Sequence, residues 1–202
     1  MPRRRRPSAL LLLAGLCWSG CASFPQAPKD VQERARAQRI FSAELSVRVS
    51  GDSVRGRAQT LVAFARPSSL RVEIPSPTGL RLVVVTKEGA LTAVFPKAQA
   101  LYSGPATPET LGALLGIALA PGEIMDLLVG AAPLRLRDVR VAWGASLPER
   151  VEATLPDGTR LSARVRSPET PEALPPTAFE APVRPSYRSV SLEEARDLLE
   201  HL

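Results

Sequence analysis

The side chains that usually carry catalysis or bind metals are scarce and scattered in this chain of 202 residues. The single histidine, His201, is the penultimate residue, so neither a histidine-dependent triad nor a histidine metal site is expected. No two aspartates have a spacing that suggests a general acid and base. The scattered aspartates are Asp126, Asp138, Asp157 and Asp197. Three serines that could act as nucleophiles, Ser23, Ser103 and Ser186, have no partner histidine in a plausible site. We therefore predict no catalytic residue, no metal site and no cofactor, and we expect a protein that is not an enzyme.

A short apolar segment near the N-terminus has the form of a targeting signal. Residues 9–16 are apolar and follow four consecutive arginines at residues 3–6. A helix that spans a bilayer needs about 20 apolar residues, so this segment is too short to be a permanent anchor. The pattern predicts a signal peptide over residues 1–20.

The residue with the most specific chemistry is Cys21, which follows the small residues Ser19 and Gly20. This arrangement resembles a bacterial lipobox, in which the cysteine thiol is acylated and the chain is cut before it. We expect Cys21 to be the lipid anchor, because two or more acyl chains hold a protein stably on a membrane. The alternative is an ordinary secreted protein in which both cysteines are accidental. The residue after the cysteine is Ala22. In enteric bacteria an aspartate at this position retains a lipoprotein in the inner membrane. By resemblance to that sorting rule, we expect the protein in the outer membrane, with its domain facing the periplasm.

The charge of the chain argues against nucleic acid as a partner. The formal net charge is +6, but four of the basic residues belong to the predicted signal peptide, so the remainder is nearly neutral. Arg55 and Arg57, like Arg135 and Arg137, alternate along predicted strands. We interpret them as solvated faces, with contacts to lipid phosphates as the alternative.

Alternating apolar and polar residues predict strands with one buried face. The clearest runs are residues 43–50 and 55–65, whereas residues 80–85 are apolar on both faces, as in a strand covered on both sides. The Pro-rich segment 75–79 and the Asp-Gly pair at 157–158 predict tight turns. This regular meander predicts one continuous antiparallel sheet.

Four short helices are predicted from their end signals. Capping boxes at residues 30–33 and 191–194 predict the starts of the first and last helices. Thr107 before a proline predicts the start of another, which ends at Gly116. A further short helix ends at Gly130. The prolines in residues 21–29 suggest a lipidated tether ahead of a single domain.

Two stretches resemble the LolA/LolB family of bacterial lipoprotein carriers and receptors. Residues 70–82 (LRVEIPSPTGLRL) resemble its strand–turn–strand, and residues 111–133 (LGALLGIALAPGEIMDLLVGAAP) resemble its paired helices. Residues 179–185 are similar to the closing strand of LolA. The resemblance spans residues 41–185. It implies an α+β domain over residues 30–202, with a single antiparallel sheet curved into an unclosed β-barrel whose concave face short helices cover.

The resemblance also implies a function and partners. The apolar space under the helices would receive acyl chains of other lipoproteins and help to localise them to the outer membrane. The partners would be acylated lipoproteins and a periplasmic carrier, with the membrane reached through the N-terminal lipid, and we expect a monomer. In the loop that the family inserts into its partner or membrane, Thr78 stands where an apolar residue is usual, and Leu80 is the nearest apolar side chain.

Aliphatic residues that alternate on the predicted strands and helices are the candidates for lining this space. The candidates are Val47, Val49, Val62, Phe64, Val72, Ile74, Leu82, Val84, Phe95, Leu114, Leu127 and Leu128. The same pattern also fits an ordinary filled core. Two other functions therefore stay open: an accessory lipoprotein that binds a protein partner, and a carrier of another amphiphile such as phospholipid or lipopolysaccharide.

Overall fold

The computed structural model describes residues 24, 26–52 and 55–201, without the side chain of residue 201. The predicted signal peptide, Cys21 and part of the tether lie outside the described residues. Within them, ten strands form a single sheet that is accompanied by four α-helices, so the fold is α+β, as predicted. None of the described helices is long and apolar enough to cross a bilayer.

The elements follow one another along the chain with short connections. The helices are α1 (Lys29–Arg36), α2 (Pro108–Leu115), α3 (Pro121–Leu128) and α4 (Leu192–His201), and a 3-10 turn covers Pro176–Phe179. The strands are β1 (Ile40–Ser50), β2 (Arg55–Ala65), β3 (Ser69–Ser76), β4 (Gly79–Lys87), β5 (Ala90–Phe95), β6 (Ala100–Pro105), β7 (Arg137–Trp143), β8 (Pro148–Thr154), β9 (Arg160–Glu169) and β10 (Arg188–Ser189).

The strand order is β10-β6-β5-β4-β3-β2-β1-β9-β8-β7, and in the described chain the two edge strands do not pair with each other. The sheet is therefore unclosed, as expected. It departs from the expected antiparallel arrangement in one place, because β10 runs parallel to β6. Hairpins produce antiparallel neighbours, whereas β10 reaches its position through a long Pro-rich connection that allows the parallel direction.

The concave face of the sheet carries the main core, and helices cover it. Phe41 on β1 stacks on Phe64 on β2, with ring centroids 5.3 Å apart. Leu111 and Leu114 of α2 and Met125 of α3 belong to the same buried cluster. These helices thus bury their apolar sides against inward-pointing strand residues, as predicted. Because the strands, helices and cores all lie at or after residue 29, a chain that begins at Phe24 contains the whole described fold.

A smaller apolar cluster on the outer face explains why β4 is apolar on both sides. Val83, Val85 and Val94 point outward and are covered by residues that include Phe179 and Tyr187. The closing strand expected at residues 179–185 is therefore wrong: the 3-10 turn ends there, and the chain lies across the sheet rather than along its edge. The Arg71 guanidinium holds this crossing segment by donating to the carbonyls of Ala178 (3.1 Å) and Glu180 (2.8 Å).

Most predicted helix ends are confirmed. The Thr107 hydroxyl caps α2 by accepting from the Thr110 N–H (3.2 Å), and Gly116 ends that helix with a φ of 69°. The capping box at residues 30–33 is wrong. Pro28 is the N-cap of α1, and no side chain caps this end, so the Asp30 carboxylate pairs with Arg34 instead (2.8 Å).

Candidate functional site

An apolar cleft of about 210 Å³ opens between the concave face of β1–β3 and the connection from α2 to α3. Aliphatic side chains make up most of its walls. The lining residues are Leu45, Val47, Val49, Gly56, Arg57, Ala58, Thr60, Val62, Val72, Ile74, Leu115, Ile117 and Ile124.

The cleft exists because small residues on β2 face branched residues on β1. Val47 lies opposite Ala58 in the strand register, and Val49 lies opposite Gly56. The two small residues leave a gap on the concave face, and Ile124 of α3 borders this gap. The sequence thus opens the space at one end of β2, whereas Phe64 fills the other end.

Five predicted cavity residues come together in the cleft. They are Val47, Val49, Val62, Val72 and Ile74. The other seven are buried in the packed cores and do not line the cleft: Phe64, Leu82, Val84, Phe95, Leu114, Leu127 and Leu128. Whether any of the twelve contacts a ligand stays a prediction.

The residues predicted to line the cavity do not include all the residues that line the cleft. Leu45, Ala58 and Thr60 share the inward phase of alternation with predicted residues on the same strands. Leu115, Ile117 and Ile124 lie in or between α2 and α3, where the sequence does not fix which apolar side chains turn toward the sheet. Their place in the cleft depends on how the helices pack.

The size of the cleft limits what it encloses. Sites for small molecules usually measure about 300–1,000 Å³, whereas an apolar cavity of about 150 Å³ takes up benzene. At about 210 Å³ the cleft has room for only a short hydrocarbon segment in this conformation. Accommodating a long acyl chain requires α3 to move away from the sheet or the chain to continue along the open end of β2.

Thr60 is a buried polar side chain within the apolar wall. Thr60 is 7% exposed and lines the cleft, and its hydroxyl has no hydrogen-bond partner among the described residues. An unpaired buried hydroxyl lowers the stability of a fold.

The predicted membrane loop lies in the turn between β3 and β4. Thr78 is exposed at its tip, and Leu80 is half-buried against the outer cluster that contains Val83. Both residues therefore lie apart from the cleft, and the role predicted for them stays a prediction.

Two carboxyl groups with a lowered pKa lie at helix ends and not in the cleft. A hydrogen bond from its own backbone N–H, together with one from Thr107, lowers the pKa of Glu109. A hydrogen bond from the Ser191 backbone lowers the pKa of Glu194. In the described part of the chain, no group of histidine, cysteine, aspartate and glutamate side chains could hold a metal ion.

Comparisons with known proteins find similar structures but no family. No protein-family model and no curated protein matches the chain. An uncharacterized conserved protein from Thermus thermophilus is 12% identical with a TM-score of 0.45, covering 82% of this chain and 99% of that chain. A LolA superfamily protein from Nitrosomonas europaea is also 12% identical with a TM-score of 0.45, covering 78% of this chain and 99% of that chain. Similarities at this level do not bear on function.

Proposed function

We propose that this protein is a lipid-anchored outer-membrane protein that binds acyl chains of other lipoproteins and helps to localise them to that membrane. The observation that carries the proposal is the aliphatic cleft between β1–β3 and α3. The sequence resemblance to the LolA/LolB family supplies the class of ligand. Cys21 supplies the anchor, acylated lipoproteins and a periplasmic carrier are the partners, and no catalytic residue takes part.

The energetics of acyl transfer favour a site of this chemistry. A sixteen-carbon chain that leaves a bilayer loses roughly 13 kcal/mol, at ~0.8 kcal/mol for each methylene. A protein site accepts such a chain only if it buries a comparable apolar surface. Valine, leucine and isoleucine line this cleft, so each methylene that enters it recovers part of that free energy.

A fluorescent fatty acid tests the cleft directly. We expect it to bind the chain that begins at Phe24 and to be displaced by an acylated lipopeptide but not by phospholipid vesicles. Ala58→Phe fills the gap opposite Val47 and should abolish binding. Ala63→Phe is the matched control, because Ala63 lies on the same strand but lines a depression on the other face. Equal binding by both variants, or no binding by the unaltered chain, would contradict the proposal.

Two other functions make different predictions in the same assay. The interior beyond the cleft is filled by Phe41, Phe64 and Phe95, which are fully buried. This packing favours an accessory lipoprotein that holds no lipid, for which the probe should not bind at all. A carrier of another amphiphile should release the probe to phospholipid or lipopolysaccharide as readily as to the lipopeptide.

The anchor is tested separately by metabolic labelling with a palmitate analogue. We expect the full chain to be labelled and processed, whereas Cys21→Ala should remain an unlabelled precursor. The matched control is Cys17→Ala, since Cys17 precedes the expected cleavage site and should not affect labelling. Normal labelling of Cys21→Ala would exclude this anchor.

A further inference from the structure

The outer face of β1, β2, β7, β8 and β9 is rich in arginine. These arginines are exposed, and along their strands they alternate with inward-facing residues such as Val47 and Ala163; among them, only Arg57 also borders the cleft in the described structure. We call this surface the arginine face; it comprises Arg48, Arg57, Arg140, Arg150, Arg160 and Arg164.

Strand register places like charges opposite one another on the arginine face. Arg48 lies directly across from Arg57, and Arg150 lies directly across from Arg164. Side chains that face each other in this way have Cβ atoms about 5 Å apart, and like charges at that distance destabilise a sheet. The arrangement therefore costs folding free energy unless an anion joins the guanidinium groups.

Several arginines elsewhere in the described chain form ion pairs with carboxylates. Examples are Arg71 with Glu73 (2.6 Å) and Arg135 with Glu123 (3.0 Å). On the arginine face, Arg150 alone among the described residues forms an ion pair, with Glu152 at 2.6 Å.

The few acidic groups near this face leave its centre uncompensated. Glu152 also lies across from Arg140 in the register, and Asp138 and Glu149 lie at the rim. In the described structure none of the three forms an ion pair with Arg48, Arg57, Arg160 or Arg164, so the positive charge of these four arginines is not paired.

Two shallow depressions meet at Arg48 and have the chemistry of phosphate sites. One measures about 520 Å³ and includes Arg160; the other measures about 490 Å³ and includes Arg57 and Arg164. Ser162 borders both depressions, so hydroxyl donors lie beside the guanidinium groups. One guanidinium group can donate to two oxygens of the same phosphate, so arginine suits a phosphate site better than lysine does.

The N-terminal end of the described chain lies on the same face. Phe24 lines the second depression together with Arg48, Arg57 and Arg164. Cys21 precedes Phe24 by three residues, a length of chain that reaches about 10 Å when extended. A lipid on Cys21 would therefore hold the arginine face against the bilayer surface.

We propose that the arginine face docks on the phosphate headgroups of anionic phospholipids and turns the cleft side of the sheet away from the membrane that anchors the protein. The orientation rests on the proposed lipid anchor, whereas the headgroup contact rests on the arginine face alone. Headgroup phosphates would relieve the repulsion between Arg48 and Arg57, and the cleft would stay accessible to a carrier.

Vesicle cosedimentation of the chain that begins at Phe24 tests this docking without the anchor. We expect binding to phosphatidylcholine vesicles that contain phosphatidylglycerol, no binding to phosphatidylcholine alone, and a loss of binding as salt rises. Each arginine near an anionic surface contributes about fivefold to binding, so Arg48→Gln with Arg164→Gln should weaken it about 25-fold.

The matched control is Arg34→Gln with Arg196→Gln, which removes the same charge. Both arginines are exposed and paired with carboxylates on helices, so binding should fall much less than 25-fold. Equal loss in the two double variants would overturn the proposal, since net charge rather than the face would then govern binding. Equal binding to both kinds of vesicle would also overturn it. If inorganic phosphate displaces the protein from the vesicles when its concentration equals that of the lipid phosphate, the site binds free phosphate instead of membranes.

Vesicle binding by the arginine face can be tested independently of fatty-acid binding in the cleft. Fatty-acid binding should be unchanged in Arg48→Gln with Arg164→Gln, because both residues lie on the face opposite the cleft. Palmitate labelling at Cys21 involves neither arginine. Loss of vesicle binding with intact probe binding is therefore specific to the arginine face.

Discussion

The Arg66 Nη2 atom lies 2.7 Å from the Asp126 Oδ1 atom, which joins the end of β2 to α3. The same guanidinium lies over the Phe64 ring, 5.6 Å from its centroid. Asp126 is on the helix that also supplies Ile124 to the cleft. This ion pair therefore holds α3 in the position that sets the width of the cleft.

Asp126→Asn removes the charge without changing the size of the side chain. Because the pair is partly exposed, we expect the free energy of unfolding to fall by no more than about 1 kcal/mol. Amide hydrogen exchange in α3 should become faster, and a fluorescent fatty acid should associate faster. Asp30→Asn is the control, since the exposed Asp30–Arg34 pair on α1 is expected to contribute about 0.3–0.5 kcal/mol and to leave α3 unchanged. Unchanged exchange in α3 of Asp126→Asn would contradict this role.

Thr86→Val should stabilise the protein. Thr86 is fully buried on β4, and its hydroxyl has no partner among the described residues. A methyl group in its place removes the unpaired polar atom while keeping the shape, so we expect a gain of about 1 kcal/mol in urea unfolding. Thr110→Val should instead lose stability, because the buried Thr110 hydroxyl lies 3.2 Å from the Thr107 hydroxyl. A loss in both variants would show that Thr86 has a partner in solution.

Strand faces were predictable from the sequence because side chains alternate with a period of two. This period correctly placed Val47 and Val49 on the concave face and Arg48 on the outer one. The turn at Asp157 was also predictable, since Gly158 has the positive φ, 85°, that an Asp-Gly turn provides. These features depend on neighbours in the sequence alone.

Open space and opposed charges could not be predicted in the same way. The gap at Ala58 depends on Val47 lying opposite it and on the distance to Ile124, which is set by packing between distant segments. Arg48 meets Arg57 through the β1–β2 register, whereas the opposition of Arg150 and Arg164 depends on the β8–β9 register. Local sequence patterns do not contain these alignments.

The start of α4 should make stability depend on pH. The Ser191 N–H donates to the Glu194 carboxylate (2.9 Å), and the Glu194 N–H donates to the Ser191 hydroxyl (3.1 Å). The bond from the Ser191 backbone keeps the pKa of Glu194 below its ordinary value of 4.5.

This lowered pKa fixes the direction of the pH effect. The carboxylate contributes stability above pH 4.5 and loses it as the pH falls through the lower folded pKa. Thermal unfolding of Glu194→Gln should change less with pH below 4.5 than that of the unaltered protein. Glu193→Gln, one residue earlier on α4, is the control and should keep the full pH dependence. Identical pH profiles for the unaltered protein and Glu194→Gln would contradict the assignment.

Gly130→Ala should be more harmful than Gly158→Ala, although both glycines have a left-handed backbone. Their φ angles are 73° and 85°, so an alanine at either position carries a strain of about 1–2 kcal/mol. A Cβ atom at Gly130 would also lie 2.6 Å from the Trp143 ring, whereas one at Gly158 would meet nothing within 4 Å. We expect Gly130→Ala to cost about 1–3 kcal/mol more than Gly158→Ala in urea unfolding, the usual range for an overpacked core.

Trp143→Leu should recover part of that difference in the double variant, because the smaller side chain removes the clash. Equal losses for the two alanine variants would mean that Trp143 moves aside at little cost.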